Sequence, residues 1–327
     1  MYKLSIITPI YNVEKYIERC ARSLFKQMLT DVEFIFINDK SPDGSIDVLK
    51  RVISEFPQLQ DSIHIVEHAE NRGLAVTRIT GIGLAQGEYV AFCDSDDWVD
   101  PNMYQNLYQE AKRTDADLVY CNYCIEFPSK SVSSNLLKVR DRNEYICSLL
   151  MGSLPSFSWI RLYRREKLLA YVKELYKPGI DMWEDTLMNI RFAFRIQVIS
   201  FVPLVGYHYN QCNVNSYTSV WSEKSQNNIR EVVRLVSETI DRQGVYQFPL
   251  SCFRLNAYYS IFSHSSIDDL KKRNWPYWFE DGKYIWNHSN MSIDNKLFLE
   301  LLRYRLYEIA YAYMWIKRKI RKIILSQ

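Results

Sequence analysis

Three aspartates fall within four positions at Asp94-Ser95-Asp96-Asp97. Carboxylates this close repel one another unless a cation or hydrogen-bond donors compensate. Hard oxygen ligands suit Mg²⁺ or Mn²⁺, which are held by one or two carboxylates together with the phosphates of a bound ligand. A second acidic pair, Glu184-Asp185, starts a helix-like run, where backbone amides and the helix dipole keep a carboxylate ionised. The residues alone allow simple acidity at a helix start as well. A third segment, Asn38-Asp39-Lys40-Ser41-Pro42-Asp43-Gly44-Ser45, places an acid before turn chemistry. Asp43-Gly44 reads as the turn and Ser45 as a helix N-cap. His208 lies in a strand-like run and reads either as a packed strand histidine or as an extra metal ligand. The Cys121–Cys124 spacing resembles half of a zinc site, but no second cysteine pair or histidine pair follows. The seven cysteines therefore read as reduced, buried thiols of a cytosolic protein.

These acids follow strand-like runs. Residues 4–8, 32–38, 63–67, 89–93 and 117–121 are short, apolar and rich in β-branched or aromatic side chains, as in strands covered on both faces. Helix-like segments at 14–28, 45–56, 73–85 and 101–114 alternate with them, with Pro101 as a first helical residue. This alternation is the signature of a parallel α/β layer. In such sheets ligands bind beyond the carboxyl ends of the strands, where the acids lie. After about residue 130 the regularity breaks. Residues 129–135 read as a polar loop, and helical pieces surround Trp159 and Trp183. A short strand pair is expected near 199–202 and 206–209, and an almost wholly helical region after residue 216.

A net charge of +3 is too small to point to nucleic acid. No stretch reaches the roughly 18–20 apolar residues of a membrane span, and the N-terminal residues lack the pattern of a signal peptide. Near the end, Leu302, Leu306, Ile309, Tyr313, Ile316, Ile320 and Ile323 form a heptad-like stripe. Lys317, Arg318, Lys319, Arg321 and Lys322 crowd the same turns. The stripe admits packing on the protein body, contact with anionic lipid at a membrane surface, or a homodimer seam.

The segments SIITPIYN, NDKSPDGS and ENRGLAVTRITGIGLAQGEYVAFCDSDD, in that order and spacing, resemble glycosyltransferase family 2, the large inverting family with the GT-A fold. WIRLYRREKL, MWEDTLMNIRF and YHYNQCNVNSYTS resemble elements of its acceptor half. The resemblance implies a GT-A catalytic domain at 1–217, with a nucleotide-sugar half at 1–125 and an acceptor half at 126–217. A helical region at 218–327 would follow it. By the same resemblance Pro9 and Tyr11 would line the nucleobase slot, and Asp39 would accept the imide hydrogen of uracil or thymine. Arg78 would approach the nucleotide, Asp94 would hold the ribose and Asp96 would ligate Mn²⁺ or Mg²⁺. Asp185 would be the catalytic base, with Glu184, Asp97 and His208 as further candidates. Two departures stand out. Asn38 precedes Asp39 where the family has a second acid, and Thr77-Arg78-Ile79 replaces Ala-Arg-Asn.

The implied activity is inverting transfer from a nucleotide-diphosphate sugar, a UDP-sugar by the Asp39 contact, to a glycan or lipid-linked acceptor in surface-polysaccharide synthesis. It would act in the cytoplasm, with peripheral contact at the inner face of the membrane. A sugar nucleotidyltransferase would need a Gly-rich basic loop after the first strand, where Pro9-Ile10-Tyr11-Asn12 stands instead. A non-catalytic nucleotide-sugar or glycan-binding module would have no need of Asp96 and Asp185.

Overall fold

The computed structural model describes residues 1–213, 221–240, 244–272 and 278–325, without the side chains of Lys272 and 321–325. The chain divides into two compact units, one of residues 1–146 and 156–220, the other of 147–155 and 221–327. The expected boundary at 217/218 falls outside the described residues.

The first unit is built on a sheet of nine strands: β1 (Leu4–Ile10), β2 (Val32–Asn38), β3 (Ile63–Glu67), β4 (Tyr89–Phe92), β5 (Trp98–Val99), β6 (Leu118–Glu126), β7 (Ser131–Ser133), β8 (Arg161–Arg164) and β9 (Ile199–Asn210). The order is β3-β2-β1-β4-β8-β6-β9-β5, with β7 beside β6. β1 to β4 pair in parallel, β8 runs against its neighbours β4 and β6, and β9 returns parallel to β6. Six strands thus share one direction, as the α/β alternation implied.

Among the described residues up to 213 seven helices occur, α1 (Ile17–Phe25), α2 (Ser45–Ser54), α3 (Leu74–Leu84), α4 (Met103–Thr114), α5 (Arg142–Met151), α6 (Arg165–Leu175) and α7 (Glu184–Ala193), and all but α5, whose residues divide between the two units, lie wholly in the first. The amphipathic α1 turns Ile17, Cys20, Ala21, Leu24 and Phe25 inward. Phe25 meets Phe34 and Phe36 of β2 edge-on, at 5.2 and 6.0 Å between ring centroids. On the other side of the sheet α3 approaches closely through Gly81, where a Cβ would come within 2.4 Å of the Ile7 side chain.

Several local expectations shift. Ser45 is the first residue of α2 and Gly44 its N-cap, because the Ser45 hydroxyl is used elsewhere: it accepts from Val13 N and donates to Asp43. Pro101 lies in a turn, and α4 starts at Met103. The polar stretch 129–135 contains the short strand β7, which covers the edge of β6. The expected pair at 199–209 is one strand, β9, which stays continuous past Pro203 because its register against β6 shifts near Cys121–Tyr123. Trp159 sits in a short 3₁₀ turn (Ser158–Ile160) rather than in an α-helix.

The second unit contains α8 (Glu223–Ile240), α9 (Gln247–Phe262), α10 (Ile267–Lys272), α11 (Trp278–Gly282), α12 (Ile293–Arg303) and α13 (Tyr307–Leu325). Its centre holds a buried ion pair, Arg254 with Asp281, bidentate at 2.7 and 2.8 Å. Along the apolar stripe Leu302 is buried, whereas Leu306, Ile309, Ile316 and Ile320 are exposed. α13 packs inward instead through Ala310 and Met314. Arg321, Lys322 and Ile323 lie outside the described side chains. Among the described residues no helix is long and apolar enough to cross a membrane. All seven cysteines are free thiols, five buried, with Cys147 partly covered and Cys212 exposed.

Candidate active site

The carboxyl ends of β1, β2 and β4 face a set of loops that hold one another through side-chain to backbone hydrogen bonds. The amide of Asn12, in a left-handed conformation, donates to Ser41 Oγ at 2.8 Å. Glu14 N donates to Asp43 Oδ2 at 2.9 Å, and Gly44 N to Glu14 Oε2 at 3.0 Å. These contacts set Pro9, partly covered, and Tyr11, half exposed, at the rim.

Asp39 is buried, and its oxygens accept from Arg72 N (2.9 Å) and Gly73 N (2.8 Å), with His68 Nδ1 at 2.7 Å from Oδ1. It therefore anchors the loop leading into α3. Two partners on Oδ1 and one on Oδ2 leave Oδ2 an acceptor site. Gly73 has φ +86°, and a Cβ there would lie 2.4 Å from the Asp181 carboxylate. Only glycine suits that conformation and that close approach.

Arg78, on α3, is the centre of the charged network. Its guanidinium donates to Asp94 Oδ1 at 3.0 Å on one side and to Glu184 on the other, and it is almost wholly buried. Burial alone would depress its pKa, but the two carboxylates hold it well above its ordinary value. Burial pushes the Glu184 carboxyl upward while Arg78 pulls it back. The net effect is upward, to about 8, because burial outweighs the opposing guanidinium.

Glu184 and Asp185 begin α7 directly after Trp183, which adopts a left-handed conformation at φ 65°. Asp185 is partly exposed, and its Oδ1 accepts from Thr186 N at 2.6 Å. Burial raises its pKa, and Arg78 opposes the rise.

The three aspartates after β4 separate. Asp94 keeps a partly exposed carboxylate beside Arg78. Asp96 accepts from Asn213 Nδ2 at 2.8 Å, and burial, followed by the charge of Asp94, raises its pKa. Asp97 is completely buried, with its oxygens taken by Tyr207 Oη (2.7 Å) and Asn210 N (2.8 Å). It braces the loop from inside and has no face toward a ligand. His208 is turned to other partners: Nδ1 meets Glu126 at 2.7 Å and Nε2 meets Asp100 at 3.2 Å. The site thus joins Arg78, Asp94 and Glu184 in one hydrogen-bonded network, with Asp185 next to it in sequence.

The carboxylates of Asp94 and Asp96 are hard donors, both partly covered. That donor set fits Mg²⁺ or Mn²⁺, and a cation there would relieve the repulsion between them.

Sequence reasoning missed four residues. Tyr207 Oη accepts from Asp94 N at 3.1 Å while donating to Asp97, and its ring stacks on Trp159 at 4.2 Å. Asn213 holds Asp96, and His68 holds Asp39. Arg19 is exposed, donates to the Asp96 carbonyl at 3.5 Å and lies 3.4 Å over the Trp98 ring. For Tyr207 a signal existed in the resembling YHYN run. For Arg19 none did, since it is one basic residue on an amphipathic helix.

A model of glycosyl transferase family 2 matches residues 5–168. EpsH of Bacillus subtilis, a protein with a glycosyltransferase assignment, is 34% identical over 212 residues, covering 63% of this chain and 60% of its own. This chain thus spans about three fifths of that relative's length. The fold is similar to that of S. aureus TarS in complex with UDP-GlcNAc, with a TM-score of 0.66 at 19% identity, over 97% of this chain and 92% of the other. It is also similar to the mannosyltransferase PcManGT of Pyrobaculum calidifontis in complex with GDP-Man and Mn2+, with a TM-score of 0.52 at 15% identity, over 95% and 86%.

Proposed function

The chain belongs to glycosyl transferase family 2, and from that premise we propose that it is an inverting glycosyltransferase using a UDP-sugar donor. The observation that carries this reading is the buried Arg78, bonded at once to Asp94 after β4 and to Glu184, the first acid of the pair heading α7. A donor-side carboxylate and Glu184, the residue before the base on a separate helix, are thereby held in one network.

Pro9 and Tyr11 form the walls for the base, and the remaining acceptor site on Asp39 receives the imide N–H of uracil. Asp94 takes the ribose. Asp96, with Asp94 beside it, would hold Mg²⁺ or Mn²⁺, which when bound would supply positive charge to the departing diphosphate. Arg78 holds Asp94 and Glu184 in register.

Asp185 accepts the proton of the acceptor hydroxyl. The hydroxyl oxygen forms its bond to the anomeric carbon on the face opposite the diphosphate, the bond from that carbon to the phosphate oxygen breaks, and the nucleoside diphosphate departs. General-base assistance of this kind is typically worth about 10²–10⁴-fold. A carboxyl raised by burial is the better base, since its affinity for the proton lies nearer the working pH. TarS, with UDP-GlcNAc bound, supports the choice of a UDP-sugar.

The acceptor is a growing surface glycan or its lipid-linked precursor, met at the inner face of the membrane. The exposed stripe on α13 supports that placement. Ile309, Trp315, Ile316 and Ile320 stand in solvent, and the Lys319 ammonium sits 3.9 Å above the Trp315 ring. Apolar and aromatic groups beside lysines match an anionic lipid surface.

Thermal unfolding across nucleotides tests the donor assignment. UDP at 100 times its dissociation constant should add roughly 2.7 kcal/mol of stability when Mn²⁺ is present. Equal stabilisation after EDTA treatment would refute the metal role, and stronger stabilisation by GDP than by UDP would refute the base assignment.

A further inference from the structure

A second group of potential ligand atoms lies at the far end of β6. Cys124, Glu126 and His208 bring a thiol, a carboxylate oxygen and an imidazole nitrogen to within 4.8 Å of one another. The backbone explains why. Cys124 and Glu126 are two apart on β6 and so share a face. His208 on β9 is the register partner of Cys124. Cys121, three positions before Cys124, lies across the strand with its thiol toward the Ile160 carbonyl. The cysteine spacing visible in the sequence is therefore not the ligand pair, and the partner of Cys124 comes from 84 residues later.

The surroundings of the three groups have the form of a metal shell. His208 Nδ1 faces Glu126 at 2.7 Å, while Nε2 meets Asp100 Oδ1 at 3.2 Å. A metal-bound histidine characteristically gives its other N–H to such a carboxylate, which fixes the tautomer and the ring plane. The ring plane is fixed a second time by Trp98, parallel to it within 3° at 5.1 Å between centroids. Ser133 Oγ lies 3.9 Å from the Cys124 sulfur as a donor, and Ser131 Oγ donates to Glu126. Cys124 is buried, and His208 and Glu126 are mostly covered but still reach solvent.

We propose that Cys124, Glu126 and His208 bind a zinc-class divalent ion, with water as fourth ligand, at a site separate from Asp94 and Asp96. A thiolate and an imidazole select a borderline-soft metal over Mg²⁺, and three protein ligands plus water complete a tetrahedron. Binding releases the Cys124 proton, and any proton on His208 Nδ1, to solvent. The sulfur and nitrogen lone pairs form the bonds to the metal, no electron changes hands, and Nε2 keeps its proton toward Asp100. The hydrogen bond between Nδ1 and Glu126 opens as the ion enters. β9 also carries Tyr207 and Asn210, the partners of Asp97, so the ion would clip the strand that braces the acidic loop. Its role is structural.

Cobalt(II) titration of the full chain tests the site, because a thiolate ligand adds a near-ultraviolet charge-transfer band that oxygen ligands do not. The Cys212→Ser background removes the one exposed thiol among the described residues. In it the band should rise to saturation at a single cobalt per chain and be displaced by zinc. Cys124→Ser should abolish the band, and Asp100→Asn should weaken cobalt affinity about 10–100-fold. Asp96→Asn should leave the band in place, which separates this site from the donor site. Should Cys124→Ser fail to fold, loss of the band in His208→Gln decides the matter. Absence of a band in the Cys212→Ser background, or its persistence in a folded Cys124→Ser or His208→Gln chain, would overturn the proposal.

Discussion

Asp185 and Asp96 are both aspartates raised by burial, yet the account gives them different duties and so different mutational signatures. Asn at position 185 keeps the size and the contact with Thr186 N but cannot take a proton. Transfer should fall by roughly 10²–10⁴-fold in Asp185→Asn, with donor affinity and melting temperature little changed. Asp96→Asn should weaken metal-dependent donor binding together with turnover. Steady-state rates beside donor titrations distinguish the two, and turnover by Asp185→Asn within about threefold of the parent would discard this base. A pH profile adds a second check. Burial raises Asp185, so its protonated form persists above the ordinary aspartate range. The base is lost as pH falls through that raised value, placing the acid limb of kcat above pH 3.8, the ordinary value, and removing it from Asp185→Asn. At this scale the sequence showed the acids through their spacing. What it hid was their sorting: Asp97 became a brace because Tyr207 and Asn210, over a hundred residues away, took its oxygens.

Elements were legible where local composition decides them. β2 and β3 run over the residues their apolar content marks, and α1 and α3 lie within the amphipathic stretches. Elements that depend on distant partners were less so. β7 exists because it covers β6, and β9 reads as two strands until its shifted register with β6 joins them. The stripe on α13 was visible as a pattern, but its direction was not. Ala310 and Met314, small and flexible, take the inward face, and the isoleucines are left outside. A cut at residue 298 would remove Phe298, Leu299 and Leu302 from the second unit's core, so point changes are the better probe. Trp315→Ser with Ile316→Ser should lower binding to anionic vesicles about tenfold or more, since each buried apolar side chain is worth roughly 1.5–3 kcal/mol. Raised salt should weaken binding of the parent as well. Unchanged vesicle binding with a shift from dimer to monomer would assign the stripe to a second copy of the chain.

At the scale of the molecule, a parallel sheet places the ends of β1, β2 and β4 in one row, and the later strands of the first unit return to support them. The family resemblance was concentrated in the first 125 residues because the nucleotide half is built from local strand–loop–helix units whose signals lie close together. The later elements reach the site through long returns. α7 is joined to α3 by Arg78 and Glu184 across 106 positions, and β9 to the acidic loop across 110 or more. Such pairings leave no local pattern. As proposed, this assembly inverts the anomeric carbon with Asp185 as base. The most direct measurement is time-resolved proton NMR of the slow hydrolysis of the α-linked UDP-sugar that best stabilises the protein with Mn²⁺, water standing in for the acceptor. The β-anomer should be released first, ahead of mutarotation, and Asp185→Asn should suppress its release. Initial appearance of the α-anomer, or release at an undiminished rate in Asp185→Asn, would contradict this mechanism.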